Sequence, residues 1–521
     1  MKITYIHCVI PFSKHNAFIV EDGRFAQVGD ATHLLNVPVD KVIDLKDRVV
    51  LPGFNDAHMH VLGLGYMLSI HGLAHYKSIE EMIEDLRKDP SSVIEGRGFT
   101  EGQFIEKRLP TKDDLNRIAS DRPVLLYRVC GHLLVANDVA INQVLALKGE
   151  NPFKDEVDLH LGHFKEAAIG WLKEAFDVKD ENTLEKEIMM AQDHLLSQGV
   201  TSVGSDDFIV YAKPYEEVLN VLARLGEDGT LKLRVQEQVN LPHLDSFKDF
   251  LNKGYARQRF GRYVMGPSKL LVDGSLGASS AYMCEPYSDD PTQRGLLNFD
   301  QKTLETYIRL CHEHGMDFAW HAIGDGTSET IMNALEAVAD DVSLKTRRHS
   351  LIHAQLTPLH QIKRMQSLNL GSMPQPIFID EDIDILEKKI GDRRLDAYRF
   401  NSLYHHVPTA LSTDAPIETA NPFRNLYLAV TRQSLKHPDH PPYLIEEAMT
   451  LKDALHSYTV MGAYFMYQEH ELGHIKPGYC ADFVVVEGFD VSDPQSLLKT
   501  EVKQTFIEGE CVYENPSKHS F

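Results

Sequence analysis

The chain has 521 residues, of which 43% are hydrophobic and 25% are charged, a composition typical of globular proteins. Asp and Glu outnumber Lys and Arg by 76 to 53, so the formal net charge is −23. A surface this acidic repels nucleic-acid backbones and anionic lipid, which argues against nucleic acid and membranes as partners.

The N-terminal segment resembles a first β-strand more than a secretory signal. Residues 3–12 are apolar but are interrupted by His7 and Pro11, and no small-residue cleavage site follows them. The six cysteines are scattered without a CxxC pair, which predicts reduced thiols rather than a disulfide framework. We therefore expect a cytoplasmic protein.

Both ends of the chain have the pattern of β-strands. Residues 18–29 consist of two short apolar runs around a turn that contains Gly23, which predicts a hairpin. Residues 482–487 (DFVVVE) and 502–508 (VKQTFIE) are also rich in strand-forming residues. Because chain ends often lie close in space, we expect residues 1–50 and 468–521 to form one composite β-sandwich.

The middle of the chain alternates short apolar runs with helical stretches. Helical periodicity is clear over residues 183–198 and 303–314. Such alternation predicts parallel βαβ units, so residues 51–467 are expected to form an α/β domain. The segment from about 78 to 175 interrupts the alternation, and we interpret it as an insertion after the first strand of that domain. The alternative is that it supplies a regular strand, which would leave one strand too many.

A metal-binding pattern lies in the segment LPGFNDAHMH, which contains His58 and His60. Side chains at i and i+2 of a strand point to the same face, so the two imidazoles can chelate one metal ion. A lone HxH pair also arises by chance or from packing, so the pattern needs support from elsewhere in the chain.

Three later segments provide that support. His321 (FAWHAIGD), His353 (SLIHA) and Asp414 (ALSTDAP) each end an apolar run, and the two histidines are separated by about the length of one βα unit. In a β/α barrel, side chains at the carboxyl ends of the strands converge on one mouth. We therefore expect these residues to join His58 and His60 in one metal site rather than to be separate buried side chains.

The chain resembles the amidohydrolase superfamily of metal-dependent hydrolases. The shared motifs are PGFNDAHMH, SKLLVDGSLG, AWHAIGD, LIHAQ, LSTDAP and GHIKPGYCADFVVVE, in this order. Within the superfamily they are similar to the branch of YtcJ-type proteins and N-substituted formamide deformylase. The resemblance implies a (β/α)8 TIM barrel, with the β-sandwich and the insertion described above, that cleaves a carbon–nitrogen bond of the amide or N-formyl type in a small molecule.

The resemblance also implies the composition of the metal centre. In related dinuclear enzymes a lysine at the position of Lys269 is carboxylated and bridges two metals, because a carbamate offers oxygen ligands that an ammonium lacks. One or two divalent metals, with zinc expected, would then be held by the following residues: His58, His60, Lys269, His321, His353 and Asp414. The alternative is an unmodified Lys269 paired with Asp273 and a single metal on the histidines.

The implied mechanism uses metal-activated water, with Asp414 as the general base that later protonates the leaving nitrogen. The branch pattern implies four substrate-binding residues: His132, Asn137, Asp273 and Arg394. A structural loop histidine is an equal interpretation of His132. One departure is that Ala278 and Ser279 follow Gly277 where the branch usually has an arginine, which puts an anion-binding role of this loop in doubt.

Other functions fit the same pattern. The same centre would serve a deaminase or an ester or lactone hydrolase, and an inherited barrel can also serve a non-catalytic binding protein. The expected partner is a small-molecule substrate, and a homodimer is a further expectation.

Overall fold

The computed structural model of the protein describes residues 1–176, 179–339 and 343–516. These residues divide into two units. The first unit comprises Met1–Gly63, Ala191–Ile209 and Tyr215–Phe521, and the second comprises Leu64–Met190 and Val210–Pro214. The segment predicted as an insertion, about 78–175, lies within the second unit.

In the first unit, strands from both ends of the chain form one seven-stranded sheet. The predicted hairpin is confirmed, since Ala17–Glu21 and Arg24–Gly29 pair antiparallel. Aromatic rings pack on the sheet, with Phe483 stacked on Phe506 at 4.3 Å between ring centroids. A separate sandwich domain over residues 1–50 and 468–521 stays a prediction. The order across the sheet is Glu510–Glu514, Glu501–Ile507, Phe483–Glu487, Lys41–Pro52, Lys2–Val9, Ala17–Glu21 and Arg24–Gly29.

The rest of the first unit confirms the predicted α/β class. A five-stranded sheet is parallel except at one edge, and a three-stranded sheet is parallel throughout. Parallel pairing follows from the helical crossovers between successive strands. The order in the first sheet is Arg259–Phe260, Tyr263–Lys269, Arg234–Asn240, Val200–Ser205 and Phe54–Met59; in the second it is Ala319–Ala322, Ser350–His353 and Gly371–Met373.

Backbone hydrogen bonds extend the pairing beyond these sheets. The amide of His321 donates to Leu270 at 2.9 Å, which joins the Ala319–Ala322 strand to the chain after Tyr263–Lys269. The amide of Ala410 donates to Ser372 at 3.0 Å, and that of Asp414 donates to His58 at 2.9 Å. Residues 409–414 therefore run between the Gly371–Met373 and Phe54–Met59 strands, which places Asp414 beside His58.

Most residues of the parallel strands are buried, but not all of the buried side chains are apolar. Every residue of Arg234–Asn240 is buried, including Glu237 and Gln238. Buried parallel strands are usually near-continuous hydrophobic runs. Polar groups at such depth need partners, and several of these partners belong to the site described below.

Helices connect the strands, and both predicted helices are confirmed, as Glu181–Ser197 and Gln301–Glu313. No helix among the described residues is long and apolar enough to cross a bilayer. Helices wholly or partly in the first unit are Ala31–Leu34, Val61–Ser69, Glu181–Ser197, Tyr215–Glu227, Leu244–Asn252, Gln301–Glu313, Asp325–Val338, Leu359–Ser367, Ile379–Asp382, Leu386–Ile390, Phe400–His406, Pro422–Thr431 and Leu451–Phe465. Its short 3-10 turns are Leu344–Thr346, Pro376–Phe378, Gly391–Asp396, Ile445–Glu447 and Pro494–Lys499.

The second unit has a mixed six-stranded sheet of its own. Apolar side chains on both faces of the sheet, such as Leu126 and Leu134, are buried in two clusters against its helices. The strand order is Val157–Asp158, His163–Lys165, Leu133–Ala136, Val124–Arg128, Ile94–Phe99 and His71–Gly72. The helices are Ile79–Leu86, Lys112–Ile118, Asp138–Lys148 and Ala167–Lys173, with a 3-10 turn at Lys154–Glu156.

Candidate metal centre

Two histidines and one aspartate converge at the end of the Phe54–Met59 strand. Oδ1 of Asp414 lies 3.1 Å from Nε2 of His58 and 3.1 Å from Nε2 of His60. One ligand atom from each of the three side chains lies within 4.8 Å of the other two, and Asp414 and His58 are buried. The i, i+2 spacing therefore places both imidazoles against the same carboxylate.

The other ring nitrogen of each histidine is held by an oxygen. Nδ1 of His58 lies 2.6 Å from Oε1 of Gln238, and Nδ1 of His60 lies 2.8 Å from the carbonyl of Asp206. The amide of Gln238 is oriented because its Nε2 donates to the carbonyl of Ala57 at 2.9 Å. Such oxygen acceptors keep the proton on Nδ1 and direct Nε2 to a metal.

Charges in the cluster are balanced by a proton. Burial lowers the pKa of His60, but the hydrogen bond to Asp414 and the negative charges of Asp414 and Asp206 together outweigh burial and raise the pKa to about 9. Burial raises the pKa of Asp414, yet His58 and His60 hold it well below its usual range. A bound divalent cation would neutralise the carboxylate in place of the proton on His60, so this donor set fits a metal ion.

A second pair of histidines lies beside the first. Nε2 of His353 is 3.0 Å from Nδ1 of His321, and the rings of His353 and His58 are 6.0 Å apart between centroids. Nδ1 of His353 is held by Oε1 of Gln375 at 2.8 Å. The structure thus brings together all four histidines and the aspartate that were predicted as ligands.

Lys269 lies at the end of its strand and points to the same place. Its Nζ lies 3.3 Å from Nε2 of His58, and its side chain is 1% exposed. Burial lowers the pKa of this ammonium, while Asp206 and Asp414 act in the opposite direction. The carboxylate paired with Nζ among the described residues is Asp206, at 4.0 Å, rather than Asp273.

Asp206 is a member of the site that sequence reasoning missed. Its Oδ2 accepts a hydrogen bond from Nδ2 of Asn240 at 2.9 Å, but its buried Oδ1 has no hydrogen-bond partner among the described residues. An unpartnered buried carboxylate oxygen is costly, and a cation nearby would offset that cost. The signal that could have found it is the position of Asp206 directly after the short strand Val200–Ser205.

Asp56 connects the two segments that carry the first three ligands. Its carboxylate accepts hydrogen bonds from the amide of Thr413 at 3.0 Å, the hydroxyl of Thr413 at 2.7 Å and the hydroxyl of Tyr458 at 2.9 Å. Burial raises the pKa of Asp56 to about 6. Asp414 next to this network has a left-handed backbone with φ of 59°, which is uncommon for a non-glycine residue and turns its side chain toward the histidines.

Comparison with known proteins identifies the family of the chain. The sequence pattern of the amidohydrolase family matches residues 41–513. The chain belongs to the amidohydrolase family. The predicted superfamily and branch are thereby confirmed, and family membership places the chain among metal-dependent hydrolases that use a divalent metal.

Relatives cover almost the whole of this amidohydrolase. It is 30% identical to the putative amidohydrolase YtcJ of Bacillus subtilis over 518 residues, which is 96% of each chain. It is 24% identical to N-substituted formamide deformylase of Arthrobacter pascens, over 96% of this chain and 95% of the relative. The crystal structure of an uncharacterized metal-dependent hydrolase from Pyrococcus furiosus superposes with a TM-score of 0.80 and 29% identity, covering 95% of this chain and all of that one.

Asp273, predicted to bind substrate, is engaged by the protein itself in this amidohydrolase. Its buried carboxylate accepts hydrogen bonds from three backbone amides and one hydroxyl, and its Oδ1 lies 3.2 Å from Nε2 of His321. Because these contacts fix the loop before the Asp325–Val338 helix, they position His321. The donors are the amides of Tyr282, Ile323 and Gly324 and the hydroxyl of Thr327.

Two other predicted substrate-binding residues are more exposed. Arg394 is half-buried in the Gly391–Asp396 turn, where its carbonyl accepts a hydrogen bond from the hydroxyl of Tyr443. His132 lies in the second unit with its Nδ1 3.0 Å from Oε2 of Glu166, and its side chain is 63% exposed. Their contacts with substrate stay predictions.

Asn137 also lies in the second unit, and its side chain is fully buried. Its Oδ1 accepts hydrogen bonds from the amides of Val124 and Ala140, and its Nδ2 donates to the carbonyls of Ala119 and Arg122. These four bonds use the whole hydrogen-bonding capacity of the amide. The predicted contact with substrate would therefore require the loss of one of them, and the observed contacts indicate a helix cap.

We expect Asn137→Ala to lower the free energy of unfolding by about 2–4 kcal/mol, because it removes a helix cap and leaves buried backbone groups unpaired. Chemical denaturation followed by circular dichroism measures the change. The matched variant His132→Ala alters an exposed side chain and should change the free energy by less than about 0.5 kcal/mol. Equal stability of the Asn137→Ala variant and the wild type would contradict the structural role.

Proposed function

We propose that this amidohydrolase hydrolyses a carbon–nitrogen bond, of the amide or N-formyl type, in a small molecule. The observation that carries the proposal is the convergence of His58 and His60 on Asp414, with His321 and His353 alongside. The similarity to a deformylase of N-substituted formamides supports the bond type. The acidic surface supports a small-molecule substrate rather than nucleic acid or membrane lipid.

We further propose which residues hold the metal. His58, His60 and Asp414 would hold one ion, and His321 and His353 a second, with a carboxylated Lys269 between them. Imidazole and carboxylate donors suit zinc. When bound, the metal would supply Lewis-acid polarisation of the scissile carbonyl and a water of lowered pKa. The buried Nζ of Lys269 beside His58 supports this assignment. So does Oδ1 of Asp206, which is buried and has no hydrogen-bond partner in the part of the chain that the structure describes.

The chain's own residues then handle the protons. Asp414 takes a proton from the attacking water on its carboxylate and delivers it to the leaving nitrogen, so the amine departs neutral and the carboxylate is restored. Gln238 and the carbonyl of Asp206 hold His58 and His60 in one tautomer through the cycle. Gln375 does the same for His353.

We propose that the strands around this site close into a (β/α)8 barrel. Support comes from the parallel pairing of Ser268 with Phe318 and of Ser372 with Thr409, which links the two sheets and the 409–414 segment. The amide of Ala57 donates a hydrogen bond to the carbonyl of Leu411 at 3.3 Å, so the 409–414 segment also pairs with the Phe54–Met59 strand. Such closure would gather the strand ends that carry the ligands at one mouth. A cytoplasmic location and a homodimer stay predictions.

The function is tested with a panel of amides, N-substituted formamides, esters and aminated heterocycles. We expect hydrolysis of an amide or formamide that a chelator abolishes and added zinc restores. Metal analysis and mass spectrometry of the purified chain give the metal content and the mass of a carboxyl group on Lys269. Turnover of esters or aminated rings alone, or turnover unaffected by metal removal, would contradict the proposal.

We expect His58→Ala and His60→Ala to weaken metal binding by at least about a hundredfold, since loss of an outer partner alone costs 10- to 100-fold. Competition with a chromogenic chelator measures the affinity. The matched variant is His349→Gln, because His349 is also buried but stacks on Phe318 at 4.2 Å and accepts its backbone N–H. Unchanged affinity in the first two variants, or equal loss in the third, would contradict the ligand assignment.

A further inference from the structure

A second cluster of metal-ligating side chains lies outside the site described above. Asp384, His437 and His440 each offer one ligand atom, and these atoms all lie within 4.8 Å of one another. The cluster shares no residue with the group formed by His58, His60 and Asp414. Two of its members are the histidines of the short sequence His437-Pro-Asp-His440.

The side chains of the cluster already face one another. Nε2 of His437 lies 2.8 Å from Oδ2 of Asp384. The imidazoles of His437 and His440 lie 5.1 Å apart between centroids with an interplanar angle of 19°. Two imidazoles and a carboxylate form a ligand set that suits zinc and similar divalent transition metals.

The segment that carries the two histidines is held in shape by its own hydrogen bonds. The amide of His440 donates to the carbonyl of His437 at 3.0 Å. Nε2 of Gln433 donates to the carbonyl of His440 at 2.8 Å, and the amide of His437 donates to Oγ of Ser434 at 2.9 Å. The backbone therefore presents both rings on one side of a tight loop.

A second set of contacts fixes this loop to the segment that carries Asp384. Oδ1 of Asp380 accepts hydrogen bonds from the hydroxyl of Ser434 at 2.7 Å and from the amide of Leu435 at 2.6 Å. Nζ of Lys436 also pairs with Glu381. The buried carboxylate of Asp380 thus holds residues 380–384 and 434–440 together, which reduces the entropy lost when a metal is bound.

The distances between the three ligand atoms need to change only slightly for the atoms to bind one zinc ion. Ligand atoms around a tetrahedral zinc ion with bonds of about 2.0–2.1 Å lie roughly 3.4 Å apart. The side chains of His437 and Asp384 are partly exposed, at 36% and 51%, so they can rotate until the ligand atoms reach this spacing. Exposure also leaves room for water at the fourth position.

We propose that Asp384, His437 and His440 form a second binding site for a divalent transition metal, with zinc as the test ion. The site is distinct from the catalytic centre and needs no substrate. A bound metal would link residues 380–384 to residues 434–440, so the loop around the Lys436–His437 peptide bond would open less often. The assignment does not depend on the reaction proposed above.

The test compares the full-length wild type with the variants His440→Gln and Asp384→Asn. After equilibrium dialysis against buffered micromolar zinc, the wild type should hold one more zinc per chain than His440→Gln. Asp384→Asn should lower the zinc affinity of that additional site by at least about tenfold, as substitutions in the metal sites of other proteins do. The matched control is His470→Gln, because His470 is exposed and also lies near a carboxylate, that of Glu469, at 3.6 Å.

A second readout does not depend on stoichiometry. Zinc should slow tryptic cleavage after Lys436 by about fivefold or more in the wild type and the His470→Gln control, because bound metal reduces the population of the open loop. It should have no such effect in His440→Gln or Asp384→Asn. Equal zinc content in all four proteins would overturn the proposal, and so would an equal loss of zinc in the His470→Gln control. Protection of Lys436 from trypsin by zinc in His440→Gln would also overturn it.

Discussion

Asp414→Asn is expected to lower kcat by about 10²–10⁴-fold, the usual contribution of a positioned general base. The asparagine has the same shape but cannot take a proton from water or return it to the leaving nitrogen. The buried position of Asp414, with Oδ1 at 3.1 Å from both His58 and His60, leaves no room for bulk water to substitute. Initial rates on the best substrate of the panel, divided by the metal content of each preparation, measure the effect.

The normalisation by metal content is needed because Asp414 is also one of the proposed metal ligands. A variant that has lost its metal regains it in excess zinc, whereas a variant that has lost its base does not recover turnover. Glu418→Gln is the matched control, since Glu418 is a half-buried carboxylate on the same segment and should retain most of the wild-type rate. Wild-type kcat in metal-loaded Asp414→Asn would show that the base is another group.

Arg234→Ala is expected to lower the free energy of unfolding by about 3–5 kcal/mol, because it leaves a buried carboxylate without its counter-charge. Arg234 lies on the Arg234–Asn240 strand, and both it and its partner Asp482 are buried. Its other nitrogen lies 2.8 Å from Glu508. The Arg234–Asp482 ion pair links the Arg234–Asn240 strand to the residue that precedes the C-terminal strand Phe483–Glu487. The midpoint and slope of chemical denaturation give the change.

The loss of unfolding free energy in Arg234→Ala should depend on pH. Burial raises the pKa of Asp482 above its usual range, and Arg234 opposes that shift. Without Arg234 the folded-state pKa rises further above the unfolded value, so the folded variant takes up a proton more readily than the unfolded chain. Its stability then falls as pH rises through the folded pKa. We therefore expect a smaller loss at pH 5 than at pH 8, and an equal loss at both would contradict the charge argument.

Arg262→Ala is the matched control for this prediction. Arg262 pairs with the same Glu508 at 2.7 Å, but its side chain is 22% exposed. Ion pairs in contact with solvent contribute about 0–1 kcal/mol, so this variant should lose much less stability. Equal losses in the two variants would show that removal of the arginine stem, rather than the buried charge, causes the effect.

Local sequence patterns predicted the elements of this fold well. Periodicity over 183–198 and 303–314 placed two helices within two residues of their observed bounds. The hairpin near Gly23 followed from its turn and its flanking apolar runs. These features depend on residues a few positions apart, so the information is present in the order of side chains. The pairing of Lys41–Pro52 with Phe483–Glu487 joins segments more than 400 residues apart and has no such local signal.

The same distinction holds for the candidate site. The i, i+2 spacing of His58 and His60 and the strand-end positions of His321, His353 and Asp414 are local features, and the sequence by itself identified them. Asp206 and Gln238 belong to the site only because Val200–Ser205 pairs with Phe54–Met59 and Arg234–Asn240 is the next strand in the same sheet. The four bonds of Asn137 and those of Asp273 also arise from packing, and so does the approach of Asp384 to His437. The type of a side chain determines which ligands it can bind. Tertiary structure decides which partners the side chain contacts, because burial and hydrogen bonding depend on segments distant in the chain.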